Sequence, residues 1–112
     1  VVRVELGTGA LTTLTQVNAD LSERVTFADV EAIEYPSSGG ARVQGWLVRP
    51  PGFDPGRKYP LLMEIHGGPH GMYGVGFNPQ FQNFAAQGYV VLYTNPRGST
   101  GYGSAFGNAI ER

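Results

Sequence analysis

Two short apolar runs, each opening into a glycine-rich loop, constrain the fold of this chain more than any other feature. Residues 61–65 (Leu-Leu-Met-Glu-Ile) lead into 66–71 (His-Gly-Gly-Pro-His-Gly). Residues 89–93 (Tyr-Val-Val-Leu-Tyr) lead towards 95–103 (Asn-Pro-Arg-Gly-Ser-Thr-Gly-Tyr-Gly). Nearly continuous apolar runs of this length are typical of strands that are covered on both faces in an α/β sheet. Such sheets build their ligand sites in the loops beyond the strand tips.

The segment between the two runs predicts a helix. Phe81, Phe84 and Ala85 share one helical face within residues 78–87, and Gly88 is a favourable C-terminal stop. A strand, a glycine loop, a helix and a second strand form a βαβ crossover, which is right-handed in nearly all proteins. We therefore expect a mostly parallel sheet, in which residues 104–112 begin the next helix.

The preceding residues predict antiparallel strands. Residues 33–35 and 42–49 alternate in polarity on either side of a Pro-Ser-Ser-Gly-Gly turn, which indicates a hairpin. Trp46 in its second strand is expected to pack on a neighbouring sheet or helix. Closer to the start, residues 1–6 and 11–14 predict two short strands joined by a turn, as in any hairpin or in a propeller blade.

Residues 18–20 predict a further turn, and the polar residues 19–31 are expected to cross between domains. Both ends of the chain read as the interior of an element. Val1 stands in a strand pattern without an initiator methionine, and the last residues are typical of a helix cut short. We therefore expect the chain to be part of a longer polypeptide.

Composition argues against several classes of function. The net charge is −1, and no basic stripe alternates with aromatic residues, so no nucleic-acid partner is expected. No apolar run approaches the length of a membrane span, so no membrane partner is expected either. The chain has no cysteine, which excludes disulfides, thiolate metal sites and a cysteine nucleophile. This composition is compatible with a reducing cytosol, and the expected location is cytoplasmic.

Metal and nucleotide sites are not expected. His66 and His70 are four residues apart, as in helical metal sites, but the Gly-Gly-Pro between them is incompatible with a regular helix. No third cluster of ligands accompanies them. The glycine-rich residues 71–76 and 98–107 lack the Lys and Ser or Thr that a phosphate-binding P-loop needs. We expect neither a metal nor an organic cofactor.

An oxyanion hole is the remaining chemical interpretation of residues 66–71. When an acyl carbon becomes tetrahedral, its oxygen gains charge, and one preorganised amide donor stabilises that state by about 3 kcal/mol. Gly67 and Gly68 have no β-carbon to shield their amides, and Pro69 stiffens the turn. A plain tight turn between a strand and a helix would use the same residues, so the spacing alone leaves both interpretations open.

Residues 61–71 and 88–103 resemble the start of the catalytic domain in the prolyl oligopeptidase family of serine peptidases. The resemblance is closest to the acylaminoacyl-peptidase branch, where His-Gly-Gly-Pro and Arg-Gly-Ser-Thr-Gly-Tyr-Gly occur at a similar separation. Residues 44–50 (Gln-Gly-Trp-Leu-Val-Arg-Pro) and 59–61 (Tyr-Pro-Leu) also fit.

The resemblance implies an α/β fold with two parts. Residues 31–112 would form the amino-terminal part of an α/β-hydrolase catalytic domain, which is incomplete in this chain. Residues 1–30 would be the end of a β-propeller and the crossover that follows it. In this family the propeller restricts access to small peptides.

The resemblance also implies roles for individual residues. The amide of Gly68 would be one oxyanion donor, and His66, Gly67 and Pro69 would support its loop. His66 stands where sister branches have an oxyanion-binding tyrosine, so we expect it to shape the turn and not to act as a general base. Arg97 would lie near the substrate entrance, where it contacts either substrate or the carbonyls of its own loop.

The catalytic triad is expected outside this chain. None of the five serines has glycine two residues away on both sides, so the nucleophile elbow Gly-x-Ser-x-Gly is absent. In α/β-hydrolases the serine, acid and histidine all follow the strands seen here. Ser99 is therefore expected not to be a nucleophile, since no base is apparent near it in the sequence.

The resemblance also implies the activity of the complete enzyme. It would hydrolyse short peptides by acyl transfer through a serine ester, as an acylaminoacyl- or oligopeptidase, whereas this chain alone would be inactive. Its partners would be the remainder of the enzyme and a short peptide substrate, and a homo-oligomer is left open. The alternatives are an esterase or lipase of the same fold, and a non-catalytic fragment that completes a partner's sheet.

Overall fold

The computed structural model describes residues 1–68 and 70–110, which form two separate β-sheets. In the smaller sheet, β1 (Val2–Val4) pairs antiparallel with β2 (Leu11–Thr13). The turn between them is closed by a hydrogen bond from the Gly9 amide to the Glu5 carbonyl. Every residue of both strands is exposed. The predicted hairpin is confirmed, and within the described structure neither of its faces is covered.

A short helix occupies the segment for which the sequence predicted a turn and an irregular crossover. α1 (Ala19–Arg24) begins after Asn18, and an ion pair of 3.0 Å joins Asp20 in its first turn to Arg24 in its last. Each charge lies at the helix end where the helix dipole favours it. The predicted turn is present at residues 17 and 18, where the Ala19 amide donates to the Gln16 carbonyl at 3.0 Å. It leads directly into a helix that the sequence did not predict, because Asn and Asp are common both in turns and at helix starts.

The larger sheet has four strands in the order β3–β4–β6–β5. They are β3 (Asp29–Pro36), β4 (Arg42–Arg49), β5 (Leu61–Glu64) and β6 (Val90–Asn95). β3 and β4 form the predicted hairpin, and β5 pairs with β6 in parallel, as a βαβ crossover requires. β4 pairs antiparallel with both β3 and β6. The expectation of a mostly parallel sheet is therefore wrong for the described residues, since the hairpin enters the sheet beside β6 in the opposite direction.

Two helices belong to this sheet unit. α2 (Pro79–Ala86) begins at Asn78, whose side-chain oxygen accepts from the amides of Gln80 and Phe81 at 3.0 and 3.1 Å. Such a cap followed by a proline is a strong helix start, and the predicted helix is confirmed. α3 (Ser104–Gly107) confirms that a helix begins near residue 104. Residues 111 and 112 of that predicted helix lie outside the described residues.

α2 covers one face of the sheet and builds the core there. The Trp46 ring stacks on Tyr93 with centroids 5.1 Å apart, and Phe81 of α2 packs against Tyr93 at 4.8 Å. The predicted packing of Trp46 is confirmed. On the opposite face, Leu61 and Met63 of β5 are 57% and 53% exposed. The cover expected on both faces of residues 61–65 is therefore present on one face only within the described structure.

A side chain of α2 also fixes the segment that enters the sheet. The Gln82 amide accepts from the Ala28 backbone N–H at 2.7 Å and donates to the Ala28 carbonyl at 3.1 Å. The neighbouring Phe27 ring contacts Phe77 edge-on at 5.4 Å. In residues 1–68 and 70–110, no helix combines the length and the apolar character that crossing a bilayer needs.

Candidate active site

The two glycine loops meet beyond the ends of the parallel strands β5 and β6. We call residues 66–73 the first loop and residues 95–103 the second loop. Because β5 and β6 are parallel neighbours, their carboxyl ends lie at the same edge of the sheet. Three hydrogen bonds join the loops near their tips: His66 Nε2 with Ser99 Oγ at 2.9 Å, His70 Nδ1 with the Gly98 carbonyl at 3.2 Å, and the Thr100 amide with the Gly71 carbonyl at 3.0 Å.

Asn95 fixes the other end of the first loop. Its side chain is fully buried at the end of β6. The Asn95 Oδ1 accepts from the Tyr73 amide at 2.7 Å, and Nδ2 donates to the Tyr73 carbonyl at 3.0 Å and to the Tyr102 hydroxyl at 2.8 Å. The Tyr102 hydroxyl in turn donates to Gln44 of β4 at 2.6 Å. One buried amide thus connects both loops to the central strands of the sheet.

Gly68 lies in the first loop with an exposed backbone. Its φ of +137° is a conformation that favours glycine. A β-carbon at this position would lie 3.1 Å from the His70 amide nitrogen, so a side chain there would force the loop to shift by a few tenths of an ångström. Among the described residues, the Gly68 amide forms no hydrogen bond. An exposed N–H of this kind can donate to a ligand oxygen, which is the property that an oxyanion donor needs.

Of the residues predicted to support the Gly68 loop, the structure describes Gly67 but not Pro69. Gly67 is exposed, and a β-carbon there would meet no atom within 4 Å. Packing therefore does not require glycine at position 67, and its supporting role stays a prediction. Pro69 lies outside the described residues, so its stiffening role stays a prediction.

His66 and Ser99 form a serine–histidine pair that the sequence did not reveal, which corrects the expectation that no base lies near Ser99. His66 Nδ1 lies 3.2 Å from the Gly67 carbonyl oxygen. That oxygen can only accept, so the network assigns the proton to Nδ1, and Nε2 accepts from the Ser99 hydroxyl. Ser99, however, is 0% exposed. No substrate carbonyl can reach its oxygen, so the expectation that Ser99 is not a nucleophile agrees with its burial.

Aromatic rings continue from the core to the first loop. Tyr73 contacts Tyr93 edge-on at 5.2 Å and the His66 ring at 5.3 Å. Burial raises the pKa of Tyr73 above its ordinary value, and the Glu64 carboxylate raises it further. Burial likewise raises the pKa of Tyr93. Both phenols are therefore neutral at physiological pH and act as packing groups beneath the loop.

Arg97 is half-buried in the second loop and lies against the β3–β4 turn. Its Nη1 is 3.8 Å from the place where a β-carbon of Gly39 would lie. No ion pair or side-chain hydrogen bond of Arg97 occurs within residues 1–68 and 70–110. Its predicted contact with substrate stays a prediction. In the same part of the chain, no three His, Cys, Asp or Glu side chains are grouped so that they could hold a metal ion.

Comparison with known proteins identifies the family. The model of the "Prolyl oligopeptidase family" matches residues 75–112. The uncharacterized peptidase YuxL of Bacillus subtilis is 46% identical over 97 residues, which cover 87% of this chain and 15% of that protein. The chain belongs to the prolyl oligopeptidase family. The resemblance seen in the sequence is confirmed.

Two further proteins are similar to this chain of the prolyl oligopeptidase family. Dipeptidyl-peptidase 5 of Schizosaccharomyces pombe is 39% identical over 82 residues, which cover 71% of this chain and 12% of that protein. A solved structure of Pyrococcus horikoshii acylaminoacyl peptidase superposes with a TM-score of 0.81 at 32% identity, covering 92% of this chain and 16% of that chain. The predicted α/β class, with the amino-terminal part of an α/β-hydrolase sheet, is confirmed. The chain spans 12% to 16% of the length of these three proteins.

Proposed function

We propose that the protein containing this chain is a serine peptidase that hydrolyses short peptides by acyl transfer, and that Gly68 supplies one oxyanion donor. Membership of the family supports this proposal, as do the names of the two relatives, an acylaminoacyl peptidase and a dipeptidyl-peptidase. The observation that carries it is the exposed Gly68 amide, which has no hydrogen-bond partner among the described residues and lies beyond the end of β5.

The proposed chemistry uses the first loop as a preorganised donor. As a serine oxygen attacks the acyl carbon, the carbonyl oxygen becomes negative, and the Gly68 N–H donates to it. The hydrogen bonds between the two loops hold this donor in place before the substrate arrives, so little reorganisation is needed during the reaction. The nucleophile, acid and base would come from residues outside this chain, because its sequence has no Gly-x-Ser-x-Gly. The chain alone would therefore be inactive.

The proposed partner of the sheet is the remainder of the same enzyme. β5 is an edge strand of the described sheet, and Leu61 and Met63 within it and Ile65 directly after it are more than half exposed. Such an edge favours pairing with a further strand and burial of its apolar face. We propose that the rest of the hydrolase domain supplies both. Residues 1–30 would complete a propeller that admits only short peptides, in keeping with the fully exposed hairpin of β1 and β2.

The test compares two glycines of positive φ in the complete protein. Gly68→Ala keeps the N–H, but its β-carbon would lie 3.1 Å from the His70 amide nitrogen at a φ that strains alanine, so the donor should be displaced. We expect kcat on a chromogenic peptide to fall by about 10²- to 10³-fold with a small change in KM, because the displaced donor is needed mainly in the transition state. Gly52→Ala is the control, since Gly52 has a φ of +72° and open space around its β-position. Similar losses in both variants would contradict the special role of Gly68.

Two further outcomes concern the class of enzyme. Robust serine-type turnover by the isolated chain would contradict the assignment of the triad to other residues. Turnover of ester substrates by the complete protein, with peptides left intact, would support the esterase alternative and exclude the peptidase.

A further inference from the structure

We infer that Ser99 is a positioning residue that sets the direction of the Gly68 N–H through the His66 ring. This inference rests on the proposed role of Gly68 as an oxyanion donor. Ser99 does not itself react, because its buried hydroxyl is inaccessible to substrate.

Ser99 is held firmly in the second loop. It is 0% exposed, and its amide donates to the Pro96 carbonyl at 3.0 Å, which closes a tight turn. Its hydroxyl lies 2.9 Å from His66 Nε2 and bonds to no other described residue. The Ser99 oxygen is therefore a fixed point to which the first loop is attached.

The imidazole transmits this attachment to the peptide that carries the donor. His66 Nδ1 lies 3.2 Å from the Gly67 carbonyl oxygen, and that carbonyl and the Gly68 N–H belong to one planar peptide group. In a trans peptide the two bonds point in opposite directions, so a fixed carbonyl also fixes the N–H. Hydrogen bonds in such a chain polarise one another, which strengthens the final donor.

The other links between the loops would remain if Ser99 lost its hydroxyl. The His70 contact with Gly98 and the bond from Thr100 to Gly71 both attach residues that follow Gly68. Removing the hydroxyl should therefore leave the loop in place but let the Gly67–Gly68 peptide rotate. A misdirected donor lowers the stabilisation of the transition state much more than it lowers the affinity for substrate.

The test measures steady-state kinetics of the complete protein with a chromogenic peptide. Ser99→Ala should lower kcat about tenfold or more while KM changes by less than about twofold. Ser104→Ala is the control, because Ser104 is exposed at the start of α3 and its side chain bonds to no described residue. An active enzyme in which Ser99→Ala behaves like Ser104→Ala would overturn the inference, and so would a loss confined to KM.

A double-mutant cycle tests whether Ser99 acts through His66. His66→Asn keeps a donor near the Nδ1 position but cannot reach Ser99. If Ser99 acts on the Gly68 N–H only through the His66 ring, Ser99→Ala should have no further effect on kcat in the His66→Asn background. Multiplicative losses from the two substitutions would overturn this path.

Nitrogen NMR of histidine-labelled protein gives a readout that does not depend on activity. His66 in the wild-type protein should carry its proton on Nδ1, and Ser99→Ala should move the proton population towards Nε2. His66→Asn assigns the signal, and the wild-type proton position alone decides the inference if Ser99→Ala fails to fold. A wild-type His66 protonated on Nε2 would overturn the inference, whereas a wild-type protein without peptidase turnover would overturn the proposed function and leave this measurement to decide the role of Ser99.

Discussion

Replacing Asn95 by alanine should destabilise the sheet unit by about 3 to 5 kcal/mol. The substitution removes three hydrogen bonds, to the Tyr73 amide, the Tyr73 carbonyl and the Tyr102 hydroxyl. Each contributes a net stabilisation of about 1 kcal/mol, and backbone groups left partly buried without partners add to the loss. Tyr102 keeps its bond to Gln44, which limits the penalty to the Tyr73 backbone. A loss of this size is a large share of the roughly 5–15 kcal/mol that stabilises a typical domain.

Urea unfolding of the complete protein measures this loss, and hydrogen exchange of the Tyr73 amide reports it locally. That amide should lose most of its protection in Asn95→Ala, because its only acceptor among the described residues is Asn95 Oδ1. Asn83→Ala is the matched control, since Asn83 is exposed on α2 and should change stability by no more than about 0.5 kcal/mol. The reasoning fails if Asn95→Ala costs less than about 1 kcal/mol, or no more than the control.

Two further substitutions test the packing beneath the site. Gly45→Ala should destabilise the sheet by about 1–3 kcal/mol, because its β-carbon would lie 2.8 Å from Thr94 Cγ2, whereas Gly74→Ala meets open space and should be neutral in urea unfolding. The raised pKa of Tyr93 predicts a pH effect: stability is fully present below the unfolded pKa of about 10 and is lost as pH rises through the folded value. Tyr93→Phe should reduce the fall in unfolding free energy above pH 10, and an equal change in the exposed Tyr89→Phe would contradict this assignment.

The sequence predicted those helices and strands whose limits are set by residues close together in the chain. α2 has an Asn-Pro start at residue 78 and a glycine stop at residue 88, so its limits depend on neighbours alone. The β3–β4 hairpin likewise follows from alternating polarity around a glycine turn. The direction of β4 relative to β6 was not predictable in this way, because that pairing joins residues far apart in sequence.

The candidate site shows the same division between local and distant signals. The exposed amide of Gly68 follows from two adjacent glycines, whereas its supports are 22 and 33 residues apart in the Tyr73–Asn95 and His66–Ser99 pairs. One signal could have found Asn95: it stands two residues after the apolar run 89–93, at the end of the same strand. A buried amide at such a position must find hydrogen-bond partners, and the nearest candidates are the glycine loops. Ser99 offers no comparable signal, because serine is common in exposed turns.

The Gln82 side chain bonds only to the backbone N–H and carbonyl of Ala28, and this limits how related chains can vary. Any residue small enough for the space can stand at position 28 without disturbing the two bonds. Inserting a residue between Ala28 and Asp29, where β3 begins, would instead shift the strand out of register with its anchor. Related chains should therefore differ here in residue type but not in length, so that the distance along the chain from the anchor to β3 stays constant.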